Sequence, residues 1–218
     1  MYALEFSKRE GNLPCSQLGG GAWISSDCNL LTSSNEEIMV PFLTLRQELF
    51  LIPTIPDGMC VTVFSPIVQR GGSYSISSIR KCTVNDQTQL NFEGKEGMRV
   101  ILHETTKLEC FYQDSLILPS AKIERREFTD AERKEDMKDE INGIFLSKLF
   151  GRPSWLQDEI IFPKKADFCI QITENDLRKF NPFYDGIFND GSCYLYLNNS
   201  IRRSRPGDVV GKCIVQFT

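Results

Sequence analysis

Apolar residues in this chain fall into short blocks, alternating with polar positions or uninterrupted, and the blocks are parted by Gly, Pro, Asp and Asn. This pattern predicts strands rather than long helices. The clearest candidates are residues 41–45, 60–64, 98–102, 110–112, 168–172, 194–197 and 213–215. A different period begins at residue 121. Fourteen of the twenty residues 121–140 are charged, and Thr129 with Glu132 three places on has the spacing of a capping box. Met137, Ile141, Ile144, Phe145 and Leu149 then recur at helical spacing. Together they predict a helix over about residues 129–150, closed by Gly151, with its mixed-charge face in solvent.

The strand-like blocks occur twice in the same order. Residues 18–24 can be laid on residues 150–156, matching Gly19 with Gly151 and Trp23 with Trp155. Residues 41–45 correspond to 168–172, and residues 57–64 to 190–197, where an Asp-Gly turn signal launches a strand with Cys60 matched to Cys193. One such unit cannot bury its apolar face, whereas two can cover each other. The expectation is a single domain over residues 1–218 with repeat units at about 15–68 and 148–198. Intervening strands would occupy 74–118 and the charged helix about 129–150. The expected class is α+β and β-rich, with two pseudosymmetric repeats forming twisted antiparallel sheets and one or two peripheral helices.

Three stretches carry a family likeness. Gly151-Arg152-Pro153-Ser154-Trp155-Leu156-Gln157, Phe168-Cys169-Ile170-Gln171-Ile172 and the run from Phe188 to Tyr196 resemble the G-x-P-x-W-x-Q, F-x-x-Q-I and D-x-G-x-x-Y-x-F pattern of the YwqG-like proteins, the DUF1963 family. The Gly19-Gly20-Gly21-Ala22-Trp23 segment, with residues 41–45 and 57–64, resembles a degenerate first copy. It lacks the proline expected around Gly21 and the glutamine expected near Thr44. The resemblance implies a sheet-rich α+β fold with internal pseudosymmetry and no established reaction. For some members it implies a role as immunity proteins encoded beside bacterial toxins.

Composition narrows the function classes. With 218 residues, 41% hydrophobic and 25% charged, the chain has the make-up of an ordinary globular domain. Its net charge of -4 offers no field for a polyanion, so nucleic acid is not an expected partner. The one basic cluster, Arg202, Arg203 and Arg205, reads as a solvated turn. No apolar run reaches the roughly 20 residues of a spanning helix, and the first residues lack a signal-peptide pattern, so a cytoplasmic protein without a membrane partner is expected. Cys15, Cys28, Cys60, Cys82, Cys110, Cys169, Cys193 and Cys213 are scattered without any C-x-x-C, which suits buried free thiols.

Catalytic and metal signatures are thin. The single histidine, His103, stands at the end of a predicted strand and reads as a surface or strand-end residue. Cys/His ligand pairs are absent, and Gly19-Gly20-Gly21 lacks the Lys-Ser/Thr of a phosphate loop, so no metal and no cofactor are expected. Asp57, Asp185 and Asp190 lie in glycine turns, where Asp caps the backbone. Repetition instead singles out Trp23 and Trp155, with Arg152, Gln157 and Gln171 from the better-kept copy. Each Trp would cap a half-core, with Gln171 satisfying a neighbouring loop, or an inter-repeat cleft would present the set to a ligand. The leading expectation is a non-enzymatic protein-binding module, an immunity or inhibitory partner of a toxin or effector. The alternatives are a small-molecule or peptide-binding module using the inter-repeat cleft, and a carboxylate-dependent hydrolase using Asp185 and Asp190.

Overall fold

The computed structural model describes residues 1–25, 38–84, 97–111, 117–160 and 165–218. Cys28, Tyr112 and parts of the expected strand region 74–118 lie outside the described residues. The apolar blocks form strands, and most of them are buried on both faces, which is why they read as near-continuous hydrophobic runs. In chain order the elements are β1 (Tyr2–Lys8), β2 (Gln17–Leu18), β3 (Val40–Arg46), β4 (Met59–Ser65), β5 (Gln69–Arg70), β6 (Ser73–Tyr74) and α1 (Ile76–Arg80). They continue with β7 (Met98–Glu104), β8 (Ala121–Glu127), α2 (Asp130–Asp136), β9 (Lys148–Leu149), β10 (Ala166–Thr173), α3 (Glu174–Phe180), β11 (Ser192–Asn198) and β12 (Val209–Gln216).

Ten strands close into one antiparallel barrel in the order β1-β8-β2-β3-β4-β7-β12-β11-β10-β9, and β5 and β6 form a separate small hairpin. A closed barrel thus replaces the expected twisted antiparallel sheets. The cause is the pairing of β1 with both β8 and β9, which joins the two ends of the ladder into a ring. Within residues 74–118 the described part supplies one barrel strand, β7, and the unforeseen helix α1.

Side chains pointing into the barrel, among them Leu43, Leu45, Val61, Val63, Ile170, Ile172, Leu195 and Val215, make the main core. Two smaller clusters lie on the outer faces, one around Phe64 and Ile101, the other around Tyr194, Tyr196 and Ile214. One end of the barrel is plugged by Leu177, Tyr184, Ile187 and Phe188, with Phe188 edge-on to Phe42 at 5.6 Å.

The ladders shift the expected matching by one residue. After a bulge at Phe42, Leu43 faces Val63; after a bulge at Cys169, Ile170 faces Leu195. Val61 and Cys193 therefore occupy like positions facing the core, whereas Cys60 lies one pleat away, in contact with Thr105. A one-residue slip in a strand exchanges its faces, so matching on the Asp-Gly turn misaligns the strand that follows. The same holds at the glycine loops, where the left-handed pair is Gly19-Gly20 after β2 and Phe150-Gly151 after β9.

The charged helix also ends early. Thr129 and Glu132 form the capping box, but α2 stops at Asp136, well short of 150. Asp136 is 1% exposed and turns inward to Lys148 and to the Ile144 amide, while Asp139 accepts the Ile141 and Asn142 amides in a tight turn. Leu149 joins β9 opposite Ile170, and Met137, Ile141 and Phe145 are left exposed. Helix α3, not foreseen, starts on a simpler cap, with the Thr173 side chain accepting from the Asp176 amide.

Candidate functional site

Four of the five singled-out residues share one strip of surface. The loop from Arg152 lies across the outer face of β10, β11 and β12, held by side chains rising from those strands. Gln171 accepts the Ser154 amide at 2.7 Å, the Tyr194 hydroxyl donates to the Ser154 carbonyl at 2.6 Å, and Gln216 accepts the Leu156 and Gln157 amides. Trp155 stacks on Tyr194 with centroids 5.0 Å apart, and its amide donates to Asn142. Gln157 donates to the Phe217 carbonyl, and Arg152 to the carbonyls of Asp139 and Glu140. Two buried donors in this strip, Arg152 Nη2 and Gln171 Nε2, have no protein partner.

Trp23 is elsewhere. Its indole nitrogen donates to Gln17 on β2 at 3.1 Å, and the Arg9 guanidinium stacks over its ring at 5.1 Å. Arg9 also pairs with Glu109, itself held by Gln17 and the Gly21 amide. Burial works against ionisation of Glu109, but these donors outweigh it and hold its pKa below the ordinary value. On both faces the tryptophan and amide groups are spent on docking a loop to the barrel.

His103 is not at the surface. It is 4% exposed on β7, bonded to the Thr62 hydroxyl at 2.8 Å and to the Glu104 carbonyl at 2.9 Å, and burial lowers its pKa. The buried ion pair Lys148–Asp136 also escaped the sequence reading, since a lysine in a two-residue strand carries no local signal. Burial lowers the Lys148 pKa, and Asp136 works to restore it.

A cleft of about 830 Å³ opens between the β5–β6 hairpin and the segment from α3 to β11. Tyr74 and Phe183 stand in it edge to face at 6.3 Å, with the Tyr74 hydroxyl donating to the Phe183 carbonyl. Ile76 lines the same wall, half exposed. Glu174, Asp185 and Asp190 also line the cleft, together with Arg178. Arg178 binds Asp185 at 3.1 Å and approaches Asp190 at 3.5 Å, and both carboxylates remain largely exposed, at 63% and 76%.

Glu174 holds the acidic part of this lining in place. As the first residue of α3 it is nearly buried, and its carboxylate accepts the amides of Gly186, Phe188 and Asp190. Those bonds fold the loop through left-handed Gly186, Asn189 and Asp190, which sets Asp185 and Asp190 facing the cleft. Burial raises the Glu174 pKa, Asp190 adds to this, and the three amides oppose it. The sequence marks Asp185 and Asp190 as turn residues and does not mark Glu174. The signal for it was the Thr173-x-x-Asp176 cap. Among the described residues no helix is long and apolar enough to cross a membrane, and no His, Cys, Asp or Glu group is arranged to hold a metal.

The sequence matches no protein-family model and no curated protein.

Proposed function

We propose that this chain is a protein-binding module that takes up basic side chains of a protein partner in the cleft between the β5–β6 hairpin and α3. The observation that carries this reading is the lining: two largely exposed carboxylates, Asp185 and Asp190, in one cleft with an aromatic pair and a half-exposed isoleucine. A lysine or arginine side chain combines a charged head with an apolar stem, and such a cleft can serve both parts. Loop 185–190 is fixed by Glu174, so little ordering is required on binding. The overall charge of -4 favours encounter with a basic surface, which fits an immunity or inhibitory partner of a toxin or effector. A hydrolase using Asp185 and Asp190 finds less support, because both carboxylates lie against Arg178.

Membership of the YwqG-like family belongs to the same proposal. In its favour is the placement of Gly151, Trp155, Gln157 and Gln171 in one loop-docking arrangement. The two bulged hairpins, β3–β4 and β10–β11, each preceded by a two-residue strand and a left-handed pair, support a duplicated unit.

The test is affinity capture from the native host's lysate with the immobilised protein, run beside an Asp185→Asn/Asp190→Asn variant. We expect one stoichiometric basic protein, released by moderate salt and held at least about tenfold more weakly by the variant, a loss of about 1.4 kcal/mol. Equal retention by the variant, or no retained protein, would sink this reading.

A further inference from the structure

We propose that Cys193 and Cys213 form a peroxide-oxidisable dithiol, a modification site independent of the cleft. They stand on neighbouring strands β11 and β12, where Cys193 pairs with Val215 and Cys213 with Leu195, so they are diagonal neighbours on the core-facing side. Strand twist draws one diagonal of such a pair together. Here the two sulfurs meet at 2.8 Å, inside the van der Waals separation of two thiols. Closing the bond needs a further movement of under about 1 Å.

A third thiol adjoins the pair. Cys82 follows α1, and its carbonyl accepts the amide of Val215, the cross-strand partner of Cys193, at 2.9 Å. A small cleft of about 180 Å³ reaches this place, lined by Lys81, Cys82, Gly97, Lys212 and Cys213 among others. Of the close pair, Cys213 lines this cleft and Cys193 does not, so a small reagent reaches the pair through Cys213. Burial pushes the Cys82 and Cys193 thiols well up, which slows their reaction with any thiolate-selective reagent, and the small size of the cleft admits peroxide but not a bulky reagent.

Hydrogen peroxide supplies the oxidant. The Cys213 sulfur attacks one peroxide oxygen and the O–O bond breaks, giving a sulfenic acid and one water. The Cys193 sulfur then displaces hydroxide from that sulfenic sulfur, the S–S bond forms, and the Cys193 thiol proton leaves with the hydroxide as a second water. The sulfurs lose two electrons and the peroxide gains them.

Reduced full-length protein is exposed to a slight excess of hydrogen peroxide, then quenched and denatured with iodoacetamide. The expected product is lighter by two hydrogen atoms before alkylation, takes up two fewer labels, gives a peptide pair linking Cys193 to Cys213, and reverts under dithiothreitol. The link persists in Cys82→Ser, and in Cys193→Ala a dimedone-reactive sulfenic acid accumulates at Cys213 instead. The proposal is overturned if wild-type protein forms a Cys82–Cys213 link or a lasting sulfinic acid at Cys213. It is equally overturned if both thiols remain alkylatable while Cys15 is oxidised.

Discussion

His103 is buried where its ring is hydrogen-bonded to Thr62 and to the Glu104 carbonyl and where burial disfavours the imidazolium, so its folded pKa lies below the ordinary 6.5. As pH falls through the ordinary histidine range, the unfolded chain takes up a proton that the folded chain refuses. The unfolded state then binds more protons, and stability declines. Above the ordinary pKa this contribution is fully present; it is lost progressively below it. Because the chain has a single histidine, one imidazole resonance reports the site. Its NMR titration is expected to have a midpoint below 6.5, and thermal melts just below neutral pH are expected to lose less stability in His103→Gln than in wild type. A midpoint at or above the ordinary value would contradict the buried environment. The sequence placed this histidine at a strand end but could not show its burial, because the Thr62 that receives it comes from a strand 41 residues away.

Among the elements, what ends α2 is as consequential as what starts it. The capping box at Thr129 and Glu132 is local and was legible in the sequence; the stop at Asp136 depends on Lys148, 12 residues on, and was not. The apolar spacing of Met137, Ile141 and Phe145 suits a helix, yet the buried pair draws the chain into a turn and starts β9 instead. With 0% and 1% side-chain exposure, each charge is tolerated because the other is present. Lys148→Met is therefore expected to destabilise by about 3–5 kcal/mol, since it strands a buried carboxylate. Lys148→Met combined with Asp136→Leu is expected to recover much of that loss, although Asp136 also accepts the Ile144 amide. Urea unfolding of the four-member cycle checks this, and an additive double variant would show that the pair is not coupled. The strands themselves were legible as apolar blocks, and the triple glycine as a tight loop, now seen with Gly19 and Gly20 left-handed. Their faces were not, because a bulge in β3 and another in β10 break the simple count of alternation.

Over the whole molecule the two halves are interlocked rather than stacked. The first strand, β1, lies between β8 and β9 of the later half, while β8 lies between β1 and β2 of the earlier one. Neither half can close its own sheet, so where block order in the sequence suggests two repeat units covering each other, the pairing yields one ring. The cleft inherits this arrangement: Tyr74 comes from the earlier half and Phe183, Asp185 and Asp190 from the later, joined by the Tyr74–Phe183 contact. A fragment of residues 119–218 should therefore remain unfolded, because without β1 and β2 both β8 and β9 would be open edges and the core would lack one wall. The intact chain should instead unfold in one step, with amides of β1, β8 and β10 exchanging at a common, global rate. Circular dichroism of the fragment and native-state hydrogen exchange of the whole protein measure this directly. A folded fragment, or a later half that outlasts β1 in exchange, would mean that the ring is two separable units and that the cleft forms only where they dock.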